Sequence, residues 1–387
     1  MAKPKMDGFF ESEEGRTVIV ALERFVRGSA TGLALYGGGT LALSVLNGKL
    51  FRSPVHVFRE ALSVDTLRFS AFLGAFPAVY KLVHDTLRRT RPGKDGSNST
   101  IAGAIAGLTM FIESGKRRRT IALFLLARAA NAFLHTLVRR GRLPRIRHLD
   151  TAVFSICTGF IVYAAASDPE LIPAGYYRSI LRWSRGWTDK GLAETLRREG
   201  TAFVPCDLHM HPGSCHVYAL KDTLRSWPSF FKMYLPINLV PVLLFKYKQL
   251  LSRPRDTLTS LFIHTVWSGT FLTFLVQIAK YVICVLRHWE RKPPPTAGYI
   301  PFTAGVLCAL SVLFERASRR RELSMYVIPH FLNGMFLLAQ RHHVKTVPFG
   351  SILVFMASTM TLMHAYERER DSLSNLVKGI IKHLVGN

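Results

Sequence analysis

Long apolar stretches separated by short basic runs dominate this chain. Apolar residues run through about 17–46, 67–87, 101–112, 120–138 and 151–166, and again through 230–245, 261–286, 300–314, 323–338 and 347–364. A helix needs roughly 20 apolar residues to cross a bilayer core, so most of these stretches predict membrane segments. The stretch 101–112 is short. It predicts a re-entrant helix, a thinned bilayer or a segment shielded by its neighbours, since lipid cannot satisfy exposed backbone groups. Within it, Gly103-Ala-Ile-Ala-Gly107 places small residues four apart, which permits close helix contact.

The pattern occurs twice. At a constant offset of 202 residues, Ala102-Gly103 falls on Ala304-Gly305, Leu108 on Leu310 and Glu113 on Glu315. Arg117, Arg118 and Arg119 fall on Arg319, Arg320 and Arg321, Asn131 on Asn333, and Arg139 on Arg341. Further echoes sit nearby: Phe51-Arg-Ser-Pro54 with Leu251-Ser-Arg-Pro254, and Lys81 with Lys280. Self-similarity at this spacing predicts two copies of one unit. The expected fold is therefore an all-α integral membrane protein of two tandem repeats. Each holds about five helical segments, including one short Gly-x-x-x-Gly helix or re-entrant segment. Five crossings per copy would make the copies antiparallel, and a re-entrant short segment would make them parallel. The expected divisions are an exposed tail at 1–16, a first membrane repeat at 17–173, an amphipathic basic linker at 174–203, a second repeat at 204–366 and a C-terminal tail at 367–387. In the linker, Tyr176, Tyr177, Trp183 and Trp187 stand among arginines, a mixture that suits an interfacial helix or a solvated connection.

Charge sharpens this picture. Of 387 residues, 51 are Lys or Arg and 25 are Asp or Glu, giving a net charge of +26. Such a balance fits either a nucleic-acid binder or a membrane protein with basic loops. The basic residues cluster at the ends of apolar stretches, and no nucleic-acid module accompanies them, so membrane lipids rather than nucleic acid are the expected partners. Five cysteines do not make a disulfide scaffold in a chain of this length. The first residues are mixed in charge and match neither a secretory signal nor a transit peptide, so targeting information is expected inside the chain.

Three groups could carry chemistry. The run Cys206-Asp-Leu-His209-Met-His211-Pro-Gly-Ser-Cys215-His216 gathers two thiols and three imidazoles. Those residues could hold zinc, form a Cys206–Cys215 disulfide or simply cap the following segment, and the spacing is not that of a standard finger or a zincin. Arg128 and Asn131 sit three apart on one helix face, as His330 and Asn333 do in the second copy. Ionisable groups at membrane depth face a protein interior or an aqueous cavity, so the four residues mark either a pathway or an inter-helix polar set, with Glu113 and Glu315 as nearby partners. The arginines 117–119 and 319–321 read as anchors for a turn at lipid headgroups, or as a site for a phospholipid or a partner acid. No nucleotide loop, nucleophile elbow or catalytic triad order is present, so neither an enzyme nor a cofactor is expected.

Several of these motifs resemble the transmembrane protein 135 family. The runs carrying the resemblance are Phe69-Ser-Ala-Phe-Leu-Gly-Ala-Phe76, Ile101-Ala-Gly-Ala-Ile-Ala-Gly107, His148-Leu-Asp-Thr-Ala-Val-Phe-Ser155 and His211-Pro-Gly-Ser-Cys215. They extend over about 50–190 and 204–366, though the first half lacks the cysteine that opens the second. The glycine-rich short helix is also similar to the Tim17-type translocase superfamily. The resemblance implies a non-enzymatic multipass protein of peroxisomal or mitochondrial membranes. It implies a role in organelle division and lipid metabolism, with organelle-division proteins as partners. A channel or transporter between the two copies is the competing expectation.

Overall fold

A computed structural model describes residues 13–46, 52–245, 247–344 and 347–386, and every regular element among them is helical. In chain order the main helices are α1 (Glu13–Leu46), α2 (Pro54–Ala61), α3 (Val64–Thr90), α4 (Asp95–Gly107), α5 (Gly115–Arg139), α6 (Leu149–Ser167) and α7 (Ala174–Ser184). They continue with α8 (Cys215–Phe245), α9 (Pro254–Glu290), α10 (Tyr299–Ala309), α11 (Ala317–Arg341), α12 (Gly350–Arg368) and α13 (Asn375–Val385). The first twelve residues of the expected N-terminal tail lie outside the described residues, and Glu13 already opens α1.

Three described helices are long and apolar enough to cross a membrane: Arg117–Arg139 within α5, α6 and α9. Their surfaces suit that setting. The apolar window of Arg117–Arg139 is only 22% buried inside the protein, and α9 leaves Phe262, Ile263 and Trp267 exposed. Apolar faces of that extent on a water-soluble monomer would be an association surface, whereas lipid tails cover them at no cost. The apolar stretch Tyr299–Phe314 is shorter.

The chain forms two compact units, Met1–Arg145 with Thr346–Asn387, and Ile146–Lys345. These boundaries do not follow the expected halves. Helix α12, from the second half of the sequence, packs on α4 and α5 of the first unit, where Ile352, Phe355, Leu362 and Met363 enter one core with Phe72, Phe76 and Met110. Helix α6, from the first half, packs on α10 and α11 of the second unit, bringing Phe154, Cys157 and Ile161 against Phe271 and Val312. Each unit is completed by a helix from the other half.

Spacing is kept along the way. Helix α4 runs into a 3-10 turn at Leu108–Ile112, and α10 into one at Leu310–Phe314, 202 residues later. Helices α5 and α11 start and stop 202 residues apart as well. The short helices pass close to their partners. A Cβ at Gly103 would stand 3.0 Å from the carbonyl oxygen of Thr359, and one at Gly305 only 2.6 Å from the Cα of Gly159.

The expected C-terminal tail is instead the helix α13. Apolar residues at 376, 377, 380, 381, 384 and 385 follow helical spacing, and Val377, Ile381, Leu384 and Val385 are buried in the first unit's core. The side chain of Ser374 caps its start by accepting a hydrogen bond from the Val377 amide.

Candidate functional site

The second unit assembles a thiol–imidazole cluster from two distant stretches. Cys206 opens a single helical turn, Cys206–His209, and Cys215 opens α8; between them Pro212 and Gly213, with φ of 73°, turn the chain back. Cys284 lies near the end of α9, one turn before His288. The donor atoms of Cys206, His211, Cys215 and Cys284 all lie within 4.8 Å of one another. Cys206, His211 and Cys284 are buried and Cys215 is half-buried.

The contacts around the cluster are specific. The Cys284 Sγ stands 3.6 Å from Nε2 of His211, whose ring stacks on Tyr218 at a centroid distance of 4.4 Å. Arg287 donates from Nη1 to the Cys206 sulfur at 3.2 Å and from Nη2 to the Val204 carbonyl at 2.8 Å. His288 places Nδ1 2.8 Å from the Cys284 carbonyl oxygen and 3.9 Å from the sulfurs of Cys206 and Cys215. A hydrogen bond from Cys284, followed by the nearby His288 and His211, pulls the Cys215 thiol down to about 5. A hydrogen bond from Cys284 and the Arg287 charge lower Cys206 as well.

The sequence located part of this cluster. Cys206, His211 and Cys215 come together as their proximity predicts, and all three cysteines are free thiols, with no Cys206–Cys215 bond. His209 and His216 do not join them. His209 is exposed, and His216 turns outward to bond the hydroxyl of Tyr281 at 2.9 Å. Cys284 is the residue that local reading missed, since it sits 69 positions downstream of Cys215 in an apolar helix. Its signal is the spacing Cys284–Arg287–His288, which puts all three side chains on one helical face.

Beside the cluster, Lys280 reaches into a buried polar knot. Its ammonium meets the Asp222 carboxylate at 2.6 Å and donates to the Ser184 carbonyl at 2.8 Å, while Gln277 donates to the same carboxylate at 2.8 Å. The knot ties α7, α8 and α9 together at one end.

The arginine runs take a structural part. They lie within the first turns of α5 and α11 rather than between helices. Arg118 donates to the carbonyls of Glu113 and Phe111 at 2.6 and 2.7 Å, and Arg320 to those of Glu315 and Leu313 at 2.6 and 2.8 Å. Each guanidinium thereby closes the 3-10 turn before its helix, satisfying carbonyls the turn leaves open. Arg117 lies over the rings of Tyr36 and Phe69, and Arg319 donates to Ser268 at 2.7 Å. Glu113 and Glu315 are buried and face Arg117 and Arg319, each at 3.7 Å. Arg321 stands 3.7 Å from Asp150, and Arg119 is half-buried in the same turn of α5.

Arg128 and Asn131 are half-buried in the first unit, and His330 and Asn333 half-buried in the second, where His330 stacks on Tyr176 at 4.1 Å.

The second unit also carries a groove of about 1270 Å³ between α8, α9 and the start of α11. Arg253, Arg316 and Arg320 stand along it, with Ile263, Trp267 and Phe314 supplying apolar wall. No family model matches the sequence, and no solved structure matches the fold.

Proposed function

We propose that this is a non-enzymatic multipass membrane protein, built by duplication of a five-segment unit, that engages phospholipid and serves the organisation and lipid metabolism of peroxisomal or mitochondrial membranes. The observation that carries the lipid part is the groove of the second unit. Its arginines can meet a phosphate while Ile263, Trp267 and Phe314 offer an acyl chain an apolar wall. Asp256 and Glu315 line it too, so the arginines are partly balanced and the groove favours an anionic headgroup over a free multivalent anion. The duplication is supported by the equal spacing of the 3-10 turns and of α5 and α11. The organelle rests on the family resemblance of the motifs.

Lipid retained by the full-length protein through purification in mild detergent tests the reading. Mass spectrometry should find anionic phospholipid, and Arg253→Ser with Arg316→Ser, both exposed positions outside the packed core, should lower its retention several-fold. Equal retention by wild type and variant would sink the lipid assignment. Deleting the gene should then alter organelle morphology and lipid content together. The transport alternative predicts instead that solute flux into proteoliposomes falls in an Arg128→Ala, His330→Ala double variant.

A further inference from the structure

We propose that Cys206, His211, Cys215 and Cys284 bind one Zn²⁺ ion as a closed structural site that fastens the 198–214 segment onto the end of α9. The site is independent of the lipid reading and would stand if that reading failed.

The donor set is the first argument. Three thiols and an imidazole form one of the standard four-coordinate zinc shells, in which all positions belong to the protein. Zinc–sulfur bonds of about 2.3 Å place tetrahedral ligand atoms roughly 3.8 Å apart. The donor atoms here already lie within 4.8 Å of one another, and the Cys284 to His211 separation is 3.6 Å. A disulfide would use two of the sulfurs and leave the third without a role.

The surroundings supply the second argument. Three thiolates around Zn²⁺ carry a net charge of −1, and the buried Arg287 guanidinium is already directed at one of the sulfurs. A histidine bound through Nε2 carries its proton on Nδ1 and needs an acceptor there. The Nδ1 of His211 and the Oε1 of Gln277 are both buried without a protein partner, and both residues line one small cavity of about 10 Å³. That is room for one bridging water.

The third argument is what the site would hold. Between α7 and α8, past the short helical run 189–197, the chain has only the single turn Cys206–His209, and the stretch around Pro205, Pro212 and Gly213 has few backbone bonds of its own. Coordination would join two of its residues, Cys206 and His211, to Cys215 at the start of α8 and to Cys284, giving an irregular segment the anchorage that a longer helix gets from packing.

Elemental analysis of the full-length protein purified under reducing conditions should give one zinc per chain. Cys206→Ser and Cys284→Ser should each lose it, whereas His209→Ala and His216→Ala should keep it. Because a serine variant can lose metal by misfolding, wild-type protein stripped with a chelator and titrated with Co²⁺ provides an independent readout. The expected spectrum has sulfur-to-cobalt charge transfer and the intense visible bands of a tetrahedral complex, saturating at one Co²⁺ per chain. Protein that carries no zinc and gives no such spectrum, or that contains a disulfide within the cluster by peptide mapping, would overturn the proposal.

Discussion

The two units solve one packing problem with different chemistry at the same corner. Each joins a short helix to a long one through a 3-10 turn, closes that turn with an arginine, and takes one long helix from the other half of the chain. They diverge where α3 and α9 end. Counting back 199 residues, Lys280 corresponds to Lys81 and Cys284 to Asp85. In the first unit these two residues simply pair with each other, at 2.9 Å and about a quarter exposed. In the second, the lysine is buried against Asp222 and the next turn belongs to the thiol cluster. The two units thus differ at these positions, with a partly hydrated ion pair in the first and buried polar chemistry in the second.

That difference can be broken most forcefully at the lysines. Lys280→Met strands the Asp222 carboxylate in a buried site and should cost about 3–5 kcal/mol, read as a large loss of thermal stability in detergent. Pairing it with Asp222→Leu should recover most of the loss. The counterpart Lys81→Met should cost under about 1 kcal/mol, because its ion pair is partly solvated. Equal losses at the two lysines would erase the contrast.

The turn-closing arginines should behave alike in both units. Arg118→Ala and Arg320→Ala each remove two charge-assisted bonds to carbonyls and should cost about 2–3 kcal/mol, discounted for partial exposure. Unequal effects would show that the spacing is shared without the role. Smallest is the glycine contrast. Gly305→Ala drives a methyl to 2.6 Å from the backbone of α6 and should cost about 1–3 kcal/mol, while Gly103→Ala presses on the Thr359 backbone at 3.0 Å and should cost less. Melting curves of the two variants side by side decide it.

Helical segments were legible in the sequence because lipid-facing and core-facing helices both need long apolar runs. The 202-residue offset paired Glu113 and Arg118 with Glu315 and Arg320, but the 3-10 turns just before Glu113 and Glu315 became visible only in the fold. Partnership was not legible. Helix α6 is apolar on most of its surface, so its sequence does not say whether it returns to α4 and α5 or goes on to α10 and α11. The cluster was half legible for the same reason. Cys206, His211 and Cys215 are neighbours in sequence, but Cys284 joins them only because α8 and α9 pack side by side. That Arg118 and Arg320 bond the carbonyls of their own turns was not legible, because a basic run looks the same whether it faces lipid or folds back.

Exchange of the completing helices is the central claim, and cross-linking tests it most directly. Arg139 lies 3.5 Å from Asp371 in the first unit, and Arg341 pairs with Asp168 in the second. Cysteine pairs Arg139→Cys with Asp371→Cys, and Arg341→Cys with Asp168→Cys, should both link rapidly with a short bismaleimide in native membranes, and mass spectrometry should identify those peptides joined within one chain. Failure of both pairs to link, in protein whose single-cysteine forms are readily labelled, would contradict the account.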